Sequence, residues 1–357
     1  MSYLTAMLLI DAPASALNNS GEDIPGARTQ NTSSVKYIRR RVSSDRIELY
    51  PYFTAQAYRR WLRMTIESDP QEWVMSPVYR EEKVAYTDAN PILHWDDDLF
   101  GYMRAPGKAK KGVEGSDVPE PVTGLEGSAI TRMSPLRVST FVSIAPANIT
   151  NDFGVMSRQE GDPTPFEHQF YRATFQGLLS LDLANAGTFY YSRRAGFQNL
   201  DAIREKQAKE RGLEHLPGKL AYRLPIEDRL KRVRRLVEAI PLVQGGAKQT
   251  LHYTDTTPVV TIAAVTRHGN HPFNFLVDEK GGQVIFNAQA FVDTLYGLGD
   301  QLLSRVYIGW KPGYAPDQYS KLAELPDDIK AWLTVGSSLD VYRRLSAAIA
   351  ENPGWLN

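Results

Sequence analysis

Residues 35–66 carry the strongest chemical signal in the sequence, a concentration of basic side chains. The segment holds eight basic residues against two acidic ones, whereas the whole chain has 41 of each sign and no net charge. Guanidinium groups at this density suit phosphate oxygens, because each group stays charged and donates its hydrogen bonds in one plane. Pairing with acidic residues elsewhere explains the same composition, so both interpretations stay open. The basic residues are Lys36, Arg39, Arg40, Arg41, Arg46, Arg59, Arg60 and Arg63.

The second half of this segment predicts an amphipathic helix that positions some of these arginines. Thr54 is a suitable N-cap, and apolar residues then recur at helical spacing. A second face carries Gln56, Arg60 and Arg63, with Arg59 beside them. Like charges one turn apart repel, so this face favours an anionic neighbour. The residues of the apolar face are Ala55, Tyr58, Leu62 and Ile66.

Gly245-Gly246, followed by Lys248 and Gln249, is a second candidate for anion binding. A glycine pair allows backbone N–H groups to approach a phosphate closely, and Lys248 adds a point charge. The same glycines also suit the C-terminal end of a helix predicted over 226–240. The sequence leaves a phosphate-binding turn and a plain helix cap open.

The residues that usually carry catalysis or hold metal ions are not grouped in the sequence. Its six histidines are scattered, and it contains no HExxH, Walker or G-x-S-x-G motif. The nearest histidine pair, His268 and His271, suits a turn better than a metal site. Asp96, Asp97 and Asp98 offer oxygen ligands for a divalent cation, but three consecutive acids more commonly form a solvated helix start or ion pairs. The sequence therefore predicts no enzyme, no metal site and no cofactor.

Composition and hydropathy indicate a globular chain. Of its 357 residues, 42% are apolar and 23% charged, which is ordinary for a protein with a sizeable core. The absence of cysteine excludes disulfides and thiolate zinc sites, and it suits a reducing cytoplasm. The apolar opening over 1–13 lacks a basic start and is too short for a membrane span, so we expect a cytoplasmic protein without membrane contact. Because the net charge is zero, nucleic-acid binding must depend on local patches.

Periodicity predicts an α+β chain interrupted by one irregular region. Residues 3–11 are almost wholly apolar, as in a strand buried on both faces, and a turn-rich loop follows them. Residues 67–133 are rich in proline and contain a Lys/Gly-rich loop, so we interpret them as an insertion, packed partly on its own aromatic residues and partly disordered without a partner. Basic residues cover much of the rest of the helix over 226–240. Further strands are predicted over 136–144, 166–191, 249–253 and 258–267, helices over 288–303 and 339–350, and a helix or loop over 200–211.

Six stretches, in this order along nearly the whole chain, resemble one known family. They are LLIDAPASALNNSG (8–21), VKYIRRR with YPYFTAQAYRRWLR (35–63), DDDLFGYM (96–103), TRMSPLRVSTFVSI (131–144), EHQFYRATFQGLLSLDL (167–183), and GGAKQTLHYTDTTPVV before GNHPF (245–273). The family is the backbone (Cas-seven) subunit of type I CRISPR Cascade complexes, in the DevR-type branch typical of type I-B systems. The sequence departs from the family pattern at 54–56, where a smaller Ser/Gly pair is expected before the glutamine.

The resemblance implies an α+β fold: a palm built on a modified RNA-recognition-motif (ferredoxin-like) fold, with a finger-like insertion and a thumb-like hairpin. The palm would comprise residues 1–66 and 134–357, and the insertion residues 67–133. It also implies a non-catalytic subunit that binds guide crRNA irrespective of sequence, polymerises along it as a helical filament, and presents it for base pairing with target DNA in antiviral defence or RNA-guided targeting. The implied partners are crRNA, target DNA, further copies of the chain and the other Cascade subunits that cap the filament.

The implied crRNA contacts fall on basic and amide residues that match the family's motifs. Phosphate and 2′-hydroxyl groups are the expected targets, because a guide must be held whatever its sequence. We also expect that alanine at Arg59, Arg60 and Arg63 together abolishes assembly on RNA and leaves the fold intact. The implied contacts are Asn18, Asn19, Arg39, Arg40, Arg41, Gln56, Arg59, Arg60, Arg63, Lys248 and Gln249, followed by Arg132 and Arg137.

Two other functions fit the sequence. In a type III-like backbone subunit, Asp96, Asp97 or Asp98 would cleave target RNA with Mg²⁺ at each copy. A free-standing regulator would bind DNA or RNA as a monomer or dimer, without length-dependent assembly. Cleavage assays with Asp→Ala variants, and size measurements on RNAs of increasing length, separate these functions from the first.

Overall fold

The structure, a computed structural model, describes residues 1–69, 71–81, 84–105, 129–157, 161–194 and 196–357. These residues form a mixed α+β structure around one large sheet. Within these ranges, no helix is both long and apolar enough to cross a membrane. The Lys/Gly-rich loop predicted over 107–127 lies outside the described residues.

The regular elements are numbered in chain order. The described helices are α1 (Ala55–Ser68), α2 (Trp95–Phe100), α3 (Ala202–Glu210), α4 (Ile226–Ala239), α5 (Ala288–Leu298), α6 (Pro316–Ser320), α7 (Asp327–Ala331) and α8 (Ser338–Glu351). The described strands are β1 (Tyr3–Ser15), β2 (Thr32–Ser33), β3 (Tyr37–Arg41), β4 (Ile47–Phe53), β5 (Val78–Glu81), β6 (Val84–Thr87), β7 (Tyr102–Arg104), β8 (Ile130–Arg132), β9 (Leu136–Val138), β10 (Phe141–Ser143), β11 (Ile149–Met156), β12 (Thr164–Asp182), β13 (Thr188–Tyr190), β14 (Glu214–Leu216), β15 (Ala221–Arg223), β16 (Val260–Thr266), β17 (Val277–Lys280), β18 (Gln283–Phe286), β19 (Val306–Trp310) and β20 (Leu333–Gly336).

A subset of the strands and helices follows the order of a ferredoxin-like fold. Strand β1 lies between β12 and β16 and is antiparallel to both, and β12 also pairs with β9 and β10. Helix α1 lies between β1 and β9 in the chain, and α4 lies between β12 and β16. In this split β-α-β arrangement both helices pack on one face of the sheet, as α1 and α4 do. The predicted α+β class, consistent with an RNA-recognition-like palm, is confirmed.

Both faces of β1 are covered. Leu4 and Leu8 pack with α1, α4 and α8, whereas Met7 and Leu9 pack with α5 and the β17–β18 hairpin. This burial confirms the strand predicted over 3–11. RNA-recognition modules stack bases on the open face of their sheet, but here α5 and the β17–β18 hairpin occupy the face around Met7. The part of this face around Met7 is therefore closed to a nucleic acid.

Two hairpins lie at the periphery of the sheet. Strands β3 and β4 form the first, with β3 at the edge. Strand β11 and the first half of β12 form the second. The apolar side chains of Phe153, Val155 and Met156 on β11 are 47%, 50% and 50% exposed. Neighbouring apolar side chains that stay this exposed are typical of a surface that meets a partner.

The region predicted as an insertion, 67–133, is joined to the main core in its described part. Leu99 and Phe100 of α2 are buried in the same apolar cluster as α1. Trp73 packs edge-on against Trp95, with ring centroids 5.5 Å apart, so aromatic residues of the region do pack on each other. The boundaries between palm and insertion stay a prediction.

Helix α4 differs from its prediction at its end and on its polar side. It ends at Ala239, several residues before Gly245-Gly246, so the glycine pair does not cap it. Arg229, Arg232 and Arg235 are buried, although their charge predicts a solvent-facing surface. The reason is tertiary: their guanidinium groups find carbonyl and carboxylate partners on other elements.

Candidate nucleic-acid interface

The loop after β1 is held against the first turn of α1. Thr54 caps this helix as predicted, because its hydroxyl accepts a hydrogen bond from the N–H of Ala57 at 3.2 Å. The N–H of Thr54 in turn donates to the side-chain oxygen of Asn18 at 3.3 Å. Asn19 is exposed beside it. The structure therefore brings the predicted residues of the first loop to the N-terminal end of α1.

The segment 245–249 packs against the same helix. A Cβ atom on Gly245 would fall inside the side chain of Trp61, so only glycine allows the backbone so close to α1. The N–H of Ala247 donates to the carbonyl of Leu17 at 3.0 Å, which ties the segment to the first loop. Three segments that are far apart in the sequence thus meet at α1.

Gln249 and Lys248 have different roles in this segment. Both ends of the Gln249 amide are used inside the chain, since Oε1 accepts from the N–H of Thr254 at 2.9 Å and Nε2 donates to the carbonyl of Gly245. Lys248 has a left-handed φ of 54° and begins a turn, which replaces the strand predicted over 249–253. Burial lowers the pKa of Lys248, and within the described part of the chain no acid pairs with it. Gln249 shapes the turn, and Lys248 stays available to an anion.

Gln56 and Arg60 add exposed polar groups to this helix. They are four residues apart and therefore share one helix face. Neither has an ion-pair or hydrogen-bond partner among the residues that the structure describes. We refer to Asn19, Gln56, Arg60 and Lys248 together as the α1 surface.

The β3–β4 hairpin carries the other predicted contacts at the edge of the sheet. Arg39, Arg40 and Arg41 are exposed on β3. Arg39 donates to the Tyr37 hydroxyl at 3.1 Å and Arg41 to the Ser44 carbonyl at 3.2 Å, and in the described ranges neither forms an ion pair. Successive side chains of a strand point to opposite faces. The hairpin therefore distributes its positive charge over both of its faces.

Arg59 and Arg63 point into the protein. Arg59 donates to the carbonyl of Leu136 at 2.6 Å and also to the carbonyl of Phe100. Arg63 lies 3.8 Å from the carboxylate of Asp96, with its guanidinium 4.8 Å from the centre of the Phe100 ring. These contacts join α1 to α2 and β9, and the side chain of Arg63 is still 33% exposed. The Arg59 guanidinium is engaged by carbonyls inside the protein, which does not favour its predicted contact with RNA, and the contact of Arg63 stays a prediction.

Arg59→Ala is expected to lower the free energy of unfolding by about 2 kcal/mol, because buried carbonyls lose a charged donor. Arg60→Ala, at the next and exposed position, is the matched control, with an expected change within about 0.5 kcal/mol. Chemical denaturation followed by circular dichroism measures both, and equal stability of the two variants would contradict the inward placement of Arg59. The triple variant of Arg59, Arg60 and Arg63 is therefore expected to lose stability, which corrects the expectation of an intact fold.

Arg132 belongs to a buried ion network around Asp98. The carboxylate of Asp98 accepts from Arg132 at 2.5 Å and from Arg232 at 2.8 Å, and none of the three side chains is more than 3% exposed. Arg132 also donates to the carbonyl of Thr188 at 2.8 Å. A nucleic acid cannot reach this guanidinium, so the predicted RNA contact of Arg132 is wrong. Its carboxylate partner lies 34 positions away in the sequence, which is why spacing does not reveal it.

Arg137 is exposed on β9, where it stands opposite Ser180 of β12. Its neighbour Leu136 accepts a hydrogen bond from Arg59 of α1 at 2.6 Å. The structure therefore places Arg137 on a strand that α1 contacts, and its contact with RNA stays a prediction.

The acidic triplet lies in α2 and is buried. Asp97 accepts from the Thr87 hydroxyl at 2.6 Å, and Asp96 accepts from the N–H of Ser76 at 2.8 Å. Burial, followed by the charge of Asp97, raises the pKa of Asp96 to about 6. Ion pairing, one of the ordinary roles expected for the triplet, is confirmed, but the helix start is not solvated. Within the described ranges, no three His, Cys, Asp or Glu side chains are grouped so that they could hold a metal ion.

Sequence reasoning missed a histidine pair close to Lys248. His168 of β12 and His252 of the turn face each other, with their Nε2 atoms 2.8 Å apart. They are 84 positions apart, so no spacing motif reveals them. The next residue, Tyr253, is 84% exposed. A tyrosine ring this exposed suits stacking against a nucleobase.

Comparisons with known proteins found similarity of fold but not of sequence. The sequence matches no protein-family model and no curated protein. The fold matches a chain of a "CRISPR RNA-guided surveillance complex, pre-nicking" with a TM-score of 0.53 and 11% identity, over 97% of this chain and 99% of that chain. A chain of a "CRISPR RNA-guided surveillance complex" matches over the same shares with a TM-score of 0.48 and 12% identity. The chain thus has a fold similar to that of a subunit of the pre-nicking complex.

Proposed function

We propose that this chain is a non-catalytic backbone subunit of a Cascade-type CRISPR complex, in the DevR-type branch typical of type I-B systems. It binds guide crRNA irrespective of sequence and forms a helical filament with further copies of itself along that RNA. The filament presents the guide to target DNA. Other Cascade subunits cap the filament, and the assembly acts in the cytoplasm.

The observation that carries this proposal is the meeting of three separate segments at α1. The first loop, the first turns of α1 and the segment 245–249 bring amide, guanidinium and ammonium groups to one helix. Such donors bind phosphate and 2′-hydroxyl groups, which carry no sequence information. The arginines of β3 add charge at the sheet edge. A guide of any sequence can be held by such a surface.

The charge distribution of the chain supports the binding of several copies side by side along one RNA. The exposed basic groups of the β3–β4 hairpin and of α1 belong to a chain with no net charge. Copies of a neutral protomer stack without strong mutual repulsion. A head-to-tail contact that does not close produces a filament, so the length of the RNA then sets the number of copies.

The hairpin of β11 and β12 is our candidate for the thumb-like element. Its exposed Phe153, Val155 and Met156 present apolar surface at the periphery of the sheet. Apolar side chains inserted as wedges between base steps unstack them and interrupt a duplex. The similarity in fold to a chain of the pre-nicking surveillance complex, with a TM-score of 0.53, supports the palm on which such a hairpin would stand.

Assembly on RNA tests the proposal. With RNAs of random sequence and increasing length, we expect complexes whose mass rises in steps of one 40.1 kDa protomer, because each copy covers a fixed stretch of RNA. Mass photometry measures the steps, and the protein without RNA is the control. One small oligomer at every RNA length would contradict the filament and favour the free-standing regulator.

A further inference from the structure

The histidine pair beside Lys248 has a geometry that permits one shared proton. The Nε2 atoms of His168 and His252 are 2.8 Å apart, so one ring must donate to the other. If both Nε2 atoms carried a proton, two N–H groups would face each other without an acceptor between them. The pair can therefore be neutral, or it can carry a single positive charge held by a charge-assisted hydrogen bond.

The surroundings of the pair are apolar on two sides and charged on two others. The Phe166 ring stacks on His168 at 5.8 Å and the Phe170 ring stacks on His252 at 5.1 Å, measured between centroids. The charged groups that face the pair are Asp152 from β11, whose Oδ2 lies 3.6 Å from Nε2 of His168, and Lys248 from the turn. The Nδ1 atom of His168 is buried without a partner among the described residues.

Burial and then the charge of Lys248 lower the pKa of both histidines, whereas Asp152 raises it. Lys248 has no acidic partner in the described part of the chain. At neutral pH, the site therefore holds a neutral histidine pair close to the Lys248 ammonium group, which has no acidic partner among the described residues. An anion that neutralised Lys248 would remove the second cause, after burial, that lowers the pKa of both histidines.

We propose that Lys248, His168 and His252 form a phosphate subsite in which binding of a nucleic-acid phosphate is accompanied by uptake of one proton by the histidine pair. This inference rests on the proposed function, since the phosphate belongs to the bound RNA. Asp152 supports the charged pair from the side of β11.

The sign of the pH dependence follows from these two states. In the free protein, burial holds the pKa of each histidine below its ordinary value of 6.5. A bound phosphate raises the pKa of the pair, so between the free and bound pKa values binding takes up a proton. The affinity for RNA is then expected to rise as the pH falls through this window, by up to about tenfold per pH unit for one proton. Above the window the affinity no longer depends on the pair.

The experiment measures the affinity of the full chain for single-stranded RNA of random sequence from about pH 8 to about pH 6 at constant salt. His252→Gln keeps a hydrogen-bonding side chain opposite His168 but cannot titrate, so its pH slope is expected to be flatter. Asp152→Asn is expected to move the rise to lower pH. Equal slopes in the wild type and in His252→Gln would overturn the inference.

A second measurement needs no variant. Titration calorimetry of the wild-type chain with the same RNA, in two buffers that differ in ionisation enthalpy, reports the number of protons taken up on binding. We expect a value between zero and one that grows from about pH 8 to about pH 6.5; no uptake across this range would overturn the inference. RNA binding without pH dependence would contradict this subsite alone, whereas a wild-type chain that binds no RNA at any pH would contradict the proposed function.

Discussion

Replacement of Arg40, Arg60 and Lys248 together with alanine is expected to weaken binding to single-stranded RNA by about 100-fold, since each charged hydrogen bond to phosphate contributes on the order of 1 kcal/mol or more. The three side chains lie on the hairpin, on α1 and on the turn after Gly245, so the variant samples each part of the interface. None of the three forms an ion pair in the described residues. Their removal should therefore affect binding and not folding.

Salt dependence gives this experiment a second readout. Basic side chains that neutralise phosphates release counterions, so the slope of log affinity against log salt should become shallower by about 0.7 for each phosphate of a single strand that the variant no longer neutralises. Fluorescence anisotropy over a salt series measures the affinity and the slope together. A weaker affinity with an unchanged salt slope would mean that the variant lost affinity without losing contacts to phosphate, which would contradict the proposed role of these side chains.

A matched control removes the same charge elsewhere. Lys206, Lys231 and Lys280 are exposed on α3, α4 and β17. Alanine at these three positions lowers the net charge equally, so it reports the effect of overall charge alone. Equal decreases of RNA affinity in the two triple variants would mean that net charge, and not this interface, holds the RNA.

Asp98→Asn is expected to be the most destabilising of the conservative changes in the acidic triplet, at about 3–5 kcal/mol. The substitution removes the carboxylate that accepts from Arg132 at 2.5 Å and from Arg232 at 2.8 Å. Two buried guanidinium groups would then lack their counter-charge. The free energy of unfolding from chemical denaturation measures the effect.

The control for this prediction is the same substitution at an exposed aspartate. Asp327 is an aspartate whose side chain is 97% exposed, and Asp327→Asn is expected to change stability by less than about 0.5 kcal/mol. A destabilisation below about 1 kcal/mol for Asp98→Asn would contradict the buried network. The result also bears on RNA cleavage, because a carboxylate committed to two buried arginines is not free to bind Mg²⁺ and substrate.

The helix and strand patterns of the palm could be predicted because they are local. Thr54 is an N-cap in the sequence and in the structure, and Tyr58, Leu62 and Ile66 repeat at the helical period and are buried. The apolar run after Tyr3 is a strand covered on both faces. Where a local pattern failed, as for the strand expected over 249–253, the left-handed φ of Lys248 and the hydrogen bonds to its carbonyl decided the turn.

The candidate interface could be predicted only in part. Exposed Arg39, Arg40 and Arg41 agree with their prediction as accessible basic groups. Arg59 and Arg132, which have the same chemistry in the sequence, are engaged by carbonyl and carboxylate partners inside the fold. The residues next to an arginine in the sequence do not indicate whether the fold will supply a buried partner for its guanidinium group.

By itself, the sequence determined the α+β class and the first helix with its cap and apolar face. It also determined the concentration of positive charge before and within that helix. The reason is that backbone periodicity, capping and side-chain charge are properties of neighbouring residues. Only the tertiary structure decided which guanidinium groups face solvent, that Asn18 and Gly245 both lie against α1, and that His168 faces His252. Those outcomes depend on contacts between residues that are far apart in the chain, such as His168 and His252 at 84 positions. They also depend on the cost of burying a charge without a partner, which is offset wherever the fold supplies a carboxylate or a carbonyl.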